Sequence, residues 1–379
     1  MTMLRLALRQ LSTAPLHAIL VVLAISVTIA VTLILRGFEQ GLYVQSESVV
    51  LDRGGQLLLT QAGVSNFLAV RSSLPQLTRQ QVEAVEGVAE AHPVTGFWVI
   101  YGPEGNKFPL LLMVYDSLGG PTHLVAGEPI RDGRDVIIDI GLSKRFGLKP
   151  GDPLVISDFT FRVAGITSGS SALFSTLAFV TYDGMIDLFL ESEIAPDIST
   201  FPLLSFLLVE TKPVADIGRV RRAIEAQVPD VDVFTPREIA DNDRELGKEL
   251  FGPIMGVLIS LSYVIGMLIV GLIVYADVSA RRRTFGVLKA LGFRASHIAS
   301  GVMMQMQLLA LVAFPVGVLL ALGVGAGIEW NTPVYRIHIW DAAGLSRAFF
   351  GLVLMVIIGG LLPLRLIAQT DPVIVFQAE

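Results

Sequence analysis

The chain has 379 residues, of which 53% are hydrophobic and only 16% charged. A soluble domain averages about 25% charged residues, so this balance excludes disorder and points to a membrane protein. The net charge of −6 argues against a nucleic-acid partner, and the absence of Cys excludes disulfides, zinc ribbons and thiol catalysis.

Met3, Leu4, Ala7, Leu8 and Leu11 fall at helical spacing, with Arg5 and Arg9 one turn apart, and predict a short amphipathic interfacial helix over 1–15. The run from Gln10 to Leu35 then carries no Asp, Glu, Lys or Arg. Crossing a bilayer takes about 20 mostly apolar residues, so 16–36 is the first predicted span. A signal peptide would have a shorter apolar region and a small-residue cleavage site, and Leu33-Ile34-Leu35-Arg36 is a poor one. The first span is therefore predicted to stay uncleaved.

Residues 37–250 read as a soluble α+β domain with its core at about 56–234. Gln56–Thr60, Phe108–Tyr115, Asp135–Asp139, Pro153–Ser157, Thr160–Thr167 and Ser205–Thr211 are short, rich in β-branched or aromatic residues and bounded by turn signals, so they predict strands. Thr78 with Gln81 predicts a capping box and a helix to about Val88, leading to a strand near Val94–Tyr101. A second helix over Val214–Val228 precedes a strand at Val231–Phe234, completing a strand–helix–strand unit. Thr235-Pro236-Arg237-Glu238 predicts a further helix start, with Thr as N-cap, Pro at the first position and Glu closing the box. That helix runs toward Phe251 with a predicted kink at Pro253. Gly37–Val50 continues the first span on the other side, so the two extensions predict a helical stalk. Gly37, Gly41 and Gly54-Gly55 weaken it, since glycine costs about 1 kcal/mol in a helix. The apolar stretches Val64–Val70 and Ser170–Phe179 fit either a lipid or adaptor contact or buried strands.

Phe251–Ala276 is uncharged and predicts the second span, 251–276. Ala295–Ile328 carries only His297 as a titratable group and predicts the third, 297–328. Ala348–Leu364 predicts the fourth, 348–364, with a short loop at 329–347 and a tail at 365–379. Short loops set orientation through Lys and Arg. Arg5, Arg9, Arg281, Arg282, Arg283, Lys289, Arg294 and Arg365 lie on one side, against Arg336 and Arg347 on the other. Both termini and the 277–296 segment are thus predicted cytoplasmic, and 37–250 extracytoplasmic. The charge balance agrees, for 37–250 holds 17 Lys/Arg against 29 Asp/Glu. The predicted fold class is a membrane protein with four transmembrane α-helices and a large extracytoplasmic α+β domain inserted between the first and second.

No phosphate loop, H-E-x-x-H or G-x-S-x-G occurs. The five histidines are scattered; a Ser-His-Asp set could be drawn from His92 or His123, with no spacing that favours either, and metal ligands have no recognisable spacing. The spans lack the charged residues that an ion or proton path would show. Asp277 reads as interfacial, and Gly252-x-x-x-Gly256 and Gly323-x-x-x-Gly327 permit close helix approach.

The 277–296 segment is too apolar for a tether. Phe285, Leu288 and Leu291 or Gly292 recur at helical spacing beside Arg281-Arg282-Arg283, and Gly292 fits a C′ cap. A short helix with an apolar knob and a basic rim suits either docking into a partner's groove or lying on the lipid surface.

Arg281-Arg282-Arg283-Thr284-Phe285-Gly286-Val287-Leu288-Lys289-Ala290-Leu291-Gly292-Phe293 resembles the cytoplasmic loop of the FtsX/MacB family of ABC-transporter permeases, in which this helix contacts the ATPase. Thr284 stands where many relatives carry Glu. Leu142–Asp152 followed by Phe161–Ile166 is similar to the family's periplasmic core, as is Gly87-Val88 before Pro93-Val94, and Thr370–Phe376 is similar to its C-terminal tail. Tyr275-Ala276-Asp277-Val278, Leu288-Lys289-Ala290 and the stretch from Gly37-Phe38 to Gly41-Leu42-Tyr43 look most like the DevC branch, whose ATPase is a separate chain and which acts with a membrane-fusion adaptor.

The resemblance implies a MacB-like periplasmic core domain, a place in the bacterial inner membrane, and two permease copies, as a homo- or heterodimer, over a dimer of ATPase subunits that bind ATP and Mg. No cofactor and no enzymatic activity are expected in this chain. The implied coupling residues are Arg281, Arg282, Arg283, Thr284, Phe285, Gly286, Leu288, Lys289, Ala290, Leu291, Gly292 and Phe293. The implied work is mechanotransmission that drives export of a lipid-like or other periplasmic-side substrate. LolC-like lipoprotein release and FtsX-like activation of cell-wall hydrolases are the alternatives, and the large outside domain favours the first two over the third.

Overall fold

The computed structural model describes residues 15–67, 70, 72–102, 107–168, 176–192 and 204–369. The predicted interfacial helix before Pro15 and the tail motif at 370–376 fall outside them. In chain order the elements are α1 (Pro15–Leu51), β1 (Leu57–Gln61), α2 (Leu77–Glu83), β2 (Val88–Tyr101), β3 (Phe108–Tyr115), β4 (Leu124–Gly127) and β5 (Asp135–Asp139). There follow α3 (Ile140–Phe146), β6 (Pro153–Ile156), β7 (Phe159–Thr167), β8 (Thr176–Thr181), α4 (Tyr182–Glu191), β9 (Phe206–Thr211), α5 (Ile217–Gln227) and β10 (Val231–Phe234). The last four are α6 (Pro236–Ala280), α7 (Arg282–Ala290), α8 (Ala295–Asn331) and α9 (Ala342–Gln369). They divide into two units, one of residues 1–40, 251–328 and 337–379, the other of 41–250 and 329–336.

The first unit is helical. Within α1, α6, α8 and α9 lie the four segments that are long and apolar enough to cross a membrane. They share one apolar core that includes Ile25 and Ile29, Val270 and Val274, Met306 and Ala313, and Leu352 and Met355. Between apolar helices, small residues and buried hydroxyls supply much of the association. Thr32 Oγ1 lies 2.7 Å from Ser262 Oγ, and Ser26 Oγ donates to the Ala313 carbonyl at 2.9 Å. Gly256, Gly323 and Gly327 of the two predicted small-residue motifs face open space, so intrachain packing does not use them. Pro253 lies inside a continuous α6. The last helix starts at Ala342, six residues before the predicted span, because Asp341 caps it by accepting from Gly344 N at 2.8 Å and Ala343 N at 3.2 Å.

The second unit is built on a ten-stranded sheet in the order β10-β1-β9-β2-β3-β8-β5-β7-β4, with β6 pairing β2 and β7. The first four strands, with α2 after β1 and α5 after β9, make a ferredoxin-like split β-α-β array into which β3–β8 are inserted. Alternation between two buried faces explains why Leu57–Leu59 of β1 and Phe206–Val209 of β9 are apolar at successive positions. Leu57, Leu59, Leu207 and Val209 pack with Val82, Val220 and Ile224 of α2 and α5. Leu58 and Leu208 point the other way, with Val49 and Val50 of α1 and Ile239 and Ala240 of α6. The inserted half has its own core, where Leu112, Ile138, Phe161 and Val180 meet Leu142 of α3 and Met185 of α4.

The expected weakening of α1 at Gly37 and Gly41 is overturned. The helix runs unbroken past both, because the glycines admit a close neighbour. A Cβ on Gly41 would collide with the Arg336 carbonyl, and one on Gly37 would lie 2.9 Å from Ile337 Cγ2. His338 N donates to the Gly37 carbonyl at 2.8 Å. The capping box predicted at Thr78 is absent. Thr78 is buried inside α2, its N–H donates to the Pro75 carbonyl at 3.0 Å, and the cap position, Gln76, makes no side-chain cap bond. The box at Thr235 is present, with Thr235 N donating to Glu238 Oε2 at 2.7 Å and Glu238 N donating to Thr235 Oγ1 at 3.2 Å. Of the apolar stretch predicted at 170–179, residues 176–179 belong to β8, a buried strand.

Candidate functional site

The basic segment after α6 forms the helix α7 in the first unit. Arg281 marks the junction. Its Nε lies 3.0 Å from Asp277 Oδ1, an i,i+4 ion pair in which Asp277 is buried. The start of α7 is electrostatically poor. Arg281 stands at the N-cap with no side-chain cap bond, no acidic residue occupies the first turn, and Arg282 and Arg283 place positive charge where the helix dipole is already positive. The end is well made. Phe293 N donates to the Leu288 carbonyl at 3.1 Å and Gly292 N to the Lys289 carbonyl at 2.9 Å, the two bonds of a Schellman motif. Gly292 has φ +92°, the left-handed conformation that favours glycine, as expected for a C′ residue.

The helix is therefore held by packing and by its C-terminal cap. Phe285 is 6% exposed and belongs to the helical core with Val278, Ile298 and Val302, and Leu288 packs against that core. This corrects the predicted apolar knob. Helical spacing identified the apolar stripe, but Phe285 spends its surface inside this chain and Gly286 is buried beside it. The exposed apolar side chains are Leu291 (70%), Phe293 (48%) and Val287 (43%), of which Val287 was not among the predicted coupling residues. Arg282, Arg283, Thr284, Ala290 and Gly292 are also exposed, and Arg281 and Lys289 are half-buried. The resulting surface is an apolar patch near the C-terminal end of α7 with arginines at the other end. Such a surface suits a partner that offers apolar contacts together with negative charge.

Four membrane-length helices with a sheet domain inserted after the first define a membrane permease of a known architecture. Residues 16–227 match the family described as MacB-like periplasmic core domain, and residues 256–372 match the FtsX-like permease C-terminal family. The chain belongs to the FtsX/MacB type of ABC transporter permeases. An uncharacterized ABC transporter permease of Mycobacterium bovis is 25% identical over 84% of this chain and 85% of its own length. The macrolide export ATP-binding/permease protein MacB of Bordetella avium is 30% identical over 31% of this chain and 18% of its own. Among solved structures, the periplasmic region of MacB from Actinobacillus actinomycetemcomitans covers 51% of this chain and 94% of its own, with 12% identity and a TM-score of 0.38.

Proposed function

We propose that the chain is the transmembrane subunit of an ABC exporter, coupled through α7 to an ATPase carried on another polypeptide. ATP and Mg act in that partner. The observation that carries this reading is the surface of α7, where Val287, Leu291 and Phe293 are exposed toward one end and Arg282 and Arg283 at the other, while Phe285 fastens the helix into the membrane-helix core. A force applied to this patch reaches α6 and α8 through that core. The helices α1 and α6 each run on into the sheet domain, so motion at α7 has a covalent route to it.

The orientation follows from charge. The α7 side carries the excess of Lys and Arg, and 37–250 is acidic, which favours a cytoplasmic α7 and an extracytoplasmic domain in the bacterial inner membrane. A separate ATPase chain is supported by the relatives. Relatives that this chain covers over 85% of their length are named permeases, whereas those named ATP-binding/permease proteins are covered over 18–19% of theirs. Two copies would act together over two ATPase subunits, with a membrane-fusion adaptor, to move a lipid-like or other substrate taken from the outer side.

The test is co-purification. The full chain, tagged and expressed in its own host, should bring down an ABC ATPase with measurable ATP hydrolysis. Leu291→Asp and Phe293→Asp should abolish that recovery while membrane insertion is unchanged. Equal recovery of the ATPase with both variants would overturn the docking role of α7.

A further inference from the structure

The sheet domain brings Glu210 beside Glu90 and His92, from which it lies far in the sequence. On β2, Glu90 and His92 are two residues apart and so share a face, and on β9 Glu210 stands directly opposite Glu90 in the antiparallel register. Two carboxylates in cross-strand register repel each other. Arg79, whose charge Glu90 feels, is already engaged by Glu83 at 3.0 Å and Asp116 at 3.4 Å. Between the carboxylates sits His92, only 3% exposed.

Ser117 holds the imidazole through one ring nitrogen. His92 Nδ1 lies 2.8 Å from Ser117 Oγ, while the buried Nε2 has no hydrogen-bond partner and lies 3.6 Å from Glu210 Oε2. Glu90 Oε1 is 3.9 Å from the Nδ1 of that ring. One ligand atom from each of the three residues falls within 4.8 Å of the others. A tetrahedral ion with bonds of about 2.1 Å separates its ligand atoms by about 3.4 Å, close to the His92–Glu210 spacing. In the tautomer whose Nδ1–H donates to Ser117, the Nε2 lone pair faces Glu210, which is how a metal-bound histidine is usually oriented by its second partner.

We infer that Glu90, His92 and Glu210 form a site for a divalent transition-metal ion of the zinc class. One imidazole and two carboxylates suit zinc better than calcium or magnesium, which prefer oxygen alone. Three protein ligands leave a fourth position for water or for a donor from a bound molecule. The ion neutralises the opposed carboxylates and fastens β2 to β9. Glu90 and Glu210 are each about half exposed, so the site opens to solvent and exchange is unobstructed.

The site is independent of the transport reading and is tested without it. The full chain in detergent, on a tag free of histidine, is stripped with chelator and titrated with zinc chloride alone. One zinc should bind per chain with a rise in melting temperature. Glu90→Gln and Glu210→Gln, at exposed positions where folding is preserved, should each weaken binding at least tenfold. Ser117→Ala should weaken it about tenfold to a hundredfold by releasing the ring. Absence of stoichiometric zinc, or equal affinity in both glutamine variants, would overturn the assignment.

Discussion

Arg244 Nη1 lies 2.6 Å from Glu47 Oε1 and ties α1 to α6 where both pack under the sheet. Glu47 is largely buried, and Arg237 at 4.0 Å adds a second positive charge. An exposed ion pair contributes roughly 0–1 kcal/mol, but removing one partner of a buried pair leaves a charge that water cannot reach.

Arg244→Leu is therefore expected to destabilise the sheet domain by about 1–3 kcal/mol. Pairing it with Glu47→Gln should restore part of the loss. Melting of the four proteins of the double-mutant cycle in detergent measures the coupling. Additive losses would show that the contact carries no specific stability.

Acid should weaken the same domain through two carboxylates. Hydrogen bonds hold Glu238 below the usual carboxylate range, led by the one from Thr235 N–H and joined by Arg221. Burial pushes Asp135 up, but the Arg131 and Asp132 N–H groups and the Arg162 guanidinium together outweigh it and bring it below that range. A depressed folded pKa means that the contribution is complete above the unfolded value of about 4 and is lost as pH falls through the folded one. The melting temperature should hold between about pH 7 and 5 and drop below about 4. Asp135→Asn and Glu238→Gln should lower stability at pH 7 and flatten that acid limb. Acid limbs parallel to the parent's would refute the assignment.

Phe285 and Leu291 sit six residues apart in one short segment and should behave oppositely. Phe285→Ala removes a core ring and should cost about 3–5 kcal/mol, read as a lower melting temperature of the helical unit. Leu291→Ala, at an exposed position, should leave stability within about 0.5 kcal/mol. Similar melting temperatures for the two variants would contradict the observed burial.

Gly292→Ala should strain the cap of α7. A left-handed conformation costs a residue with a Cβ about 1–2 kcal/mol. Faster amide exchange at Gly292 and Phe293, whose N–H groups make the two cap bonds, is the readout. Unchanged protection there would mean that the turn has another support.

Much of the architecture is legible in the residues. The strands at Phe108–Tyr115, Asp135–Asp139 and Val231–Phe234 have the expected bounds, because turn signals flank them, and the Thr235 box and the Gly292 cap are local motifs. β8 is harder to read. It pairs parallel to β3 and antiparallel to β5 and is buried on both faces, so it shows none of the alternation that marks a half-exposed strand. The early start of α5 moves to Ile217 because Asp216, not an earlier residue, accepts from Gly218 and Arg219 N–H. The two faces of α7 cannot be told apart by spacing, since a stripe that meets the chain's own core repeats as one that meets a partner does. The Glu90, His92 and Glu210 group is invisible in sequence, since it exists only through the β2–β9 register.

The octapeptide 329–336, the last turn of α8 and the start of the loop that follows, belongs to the sheet domain. Lys144 Nζ sits 4.7 Å over the Trp330 ring, Gln45 Nε2 donates to the Val334 carbonyl at 2.6 Å, and the Arg336 carbonyl covers Gly41. Anyone cutting the gene at codons 41 and 250 to obtain a crystallisable fragment would thus discard a piece of that fragment's own surface. The sounder excision splices those eight residues back on.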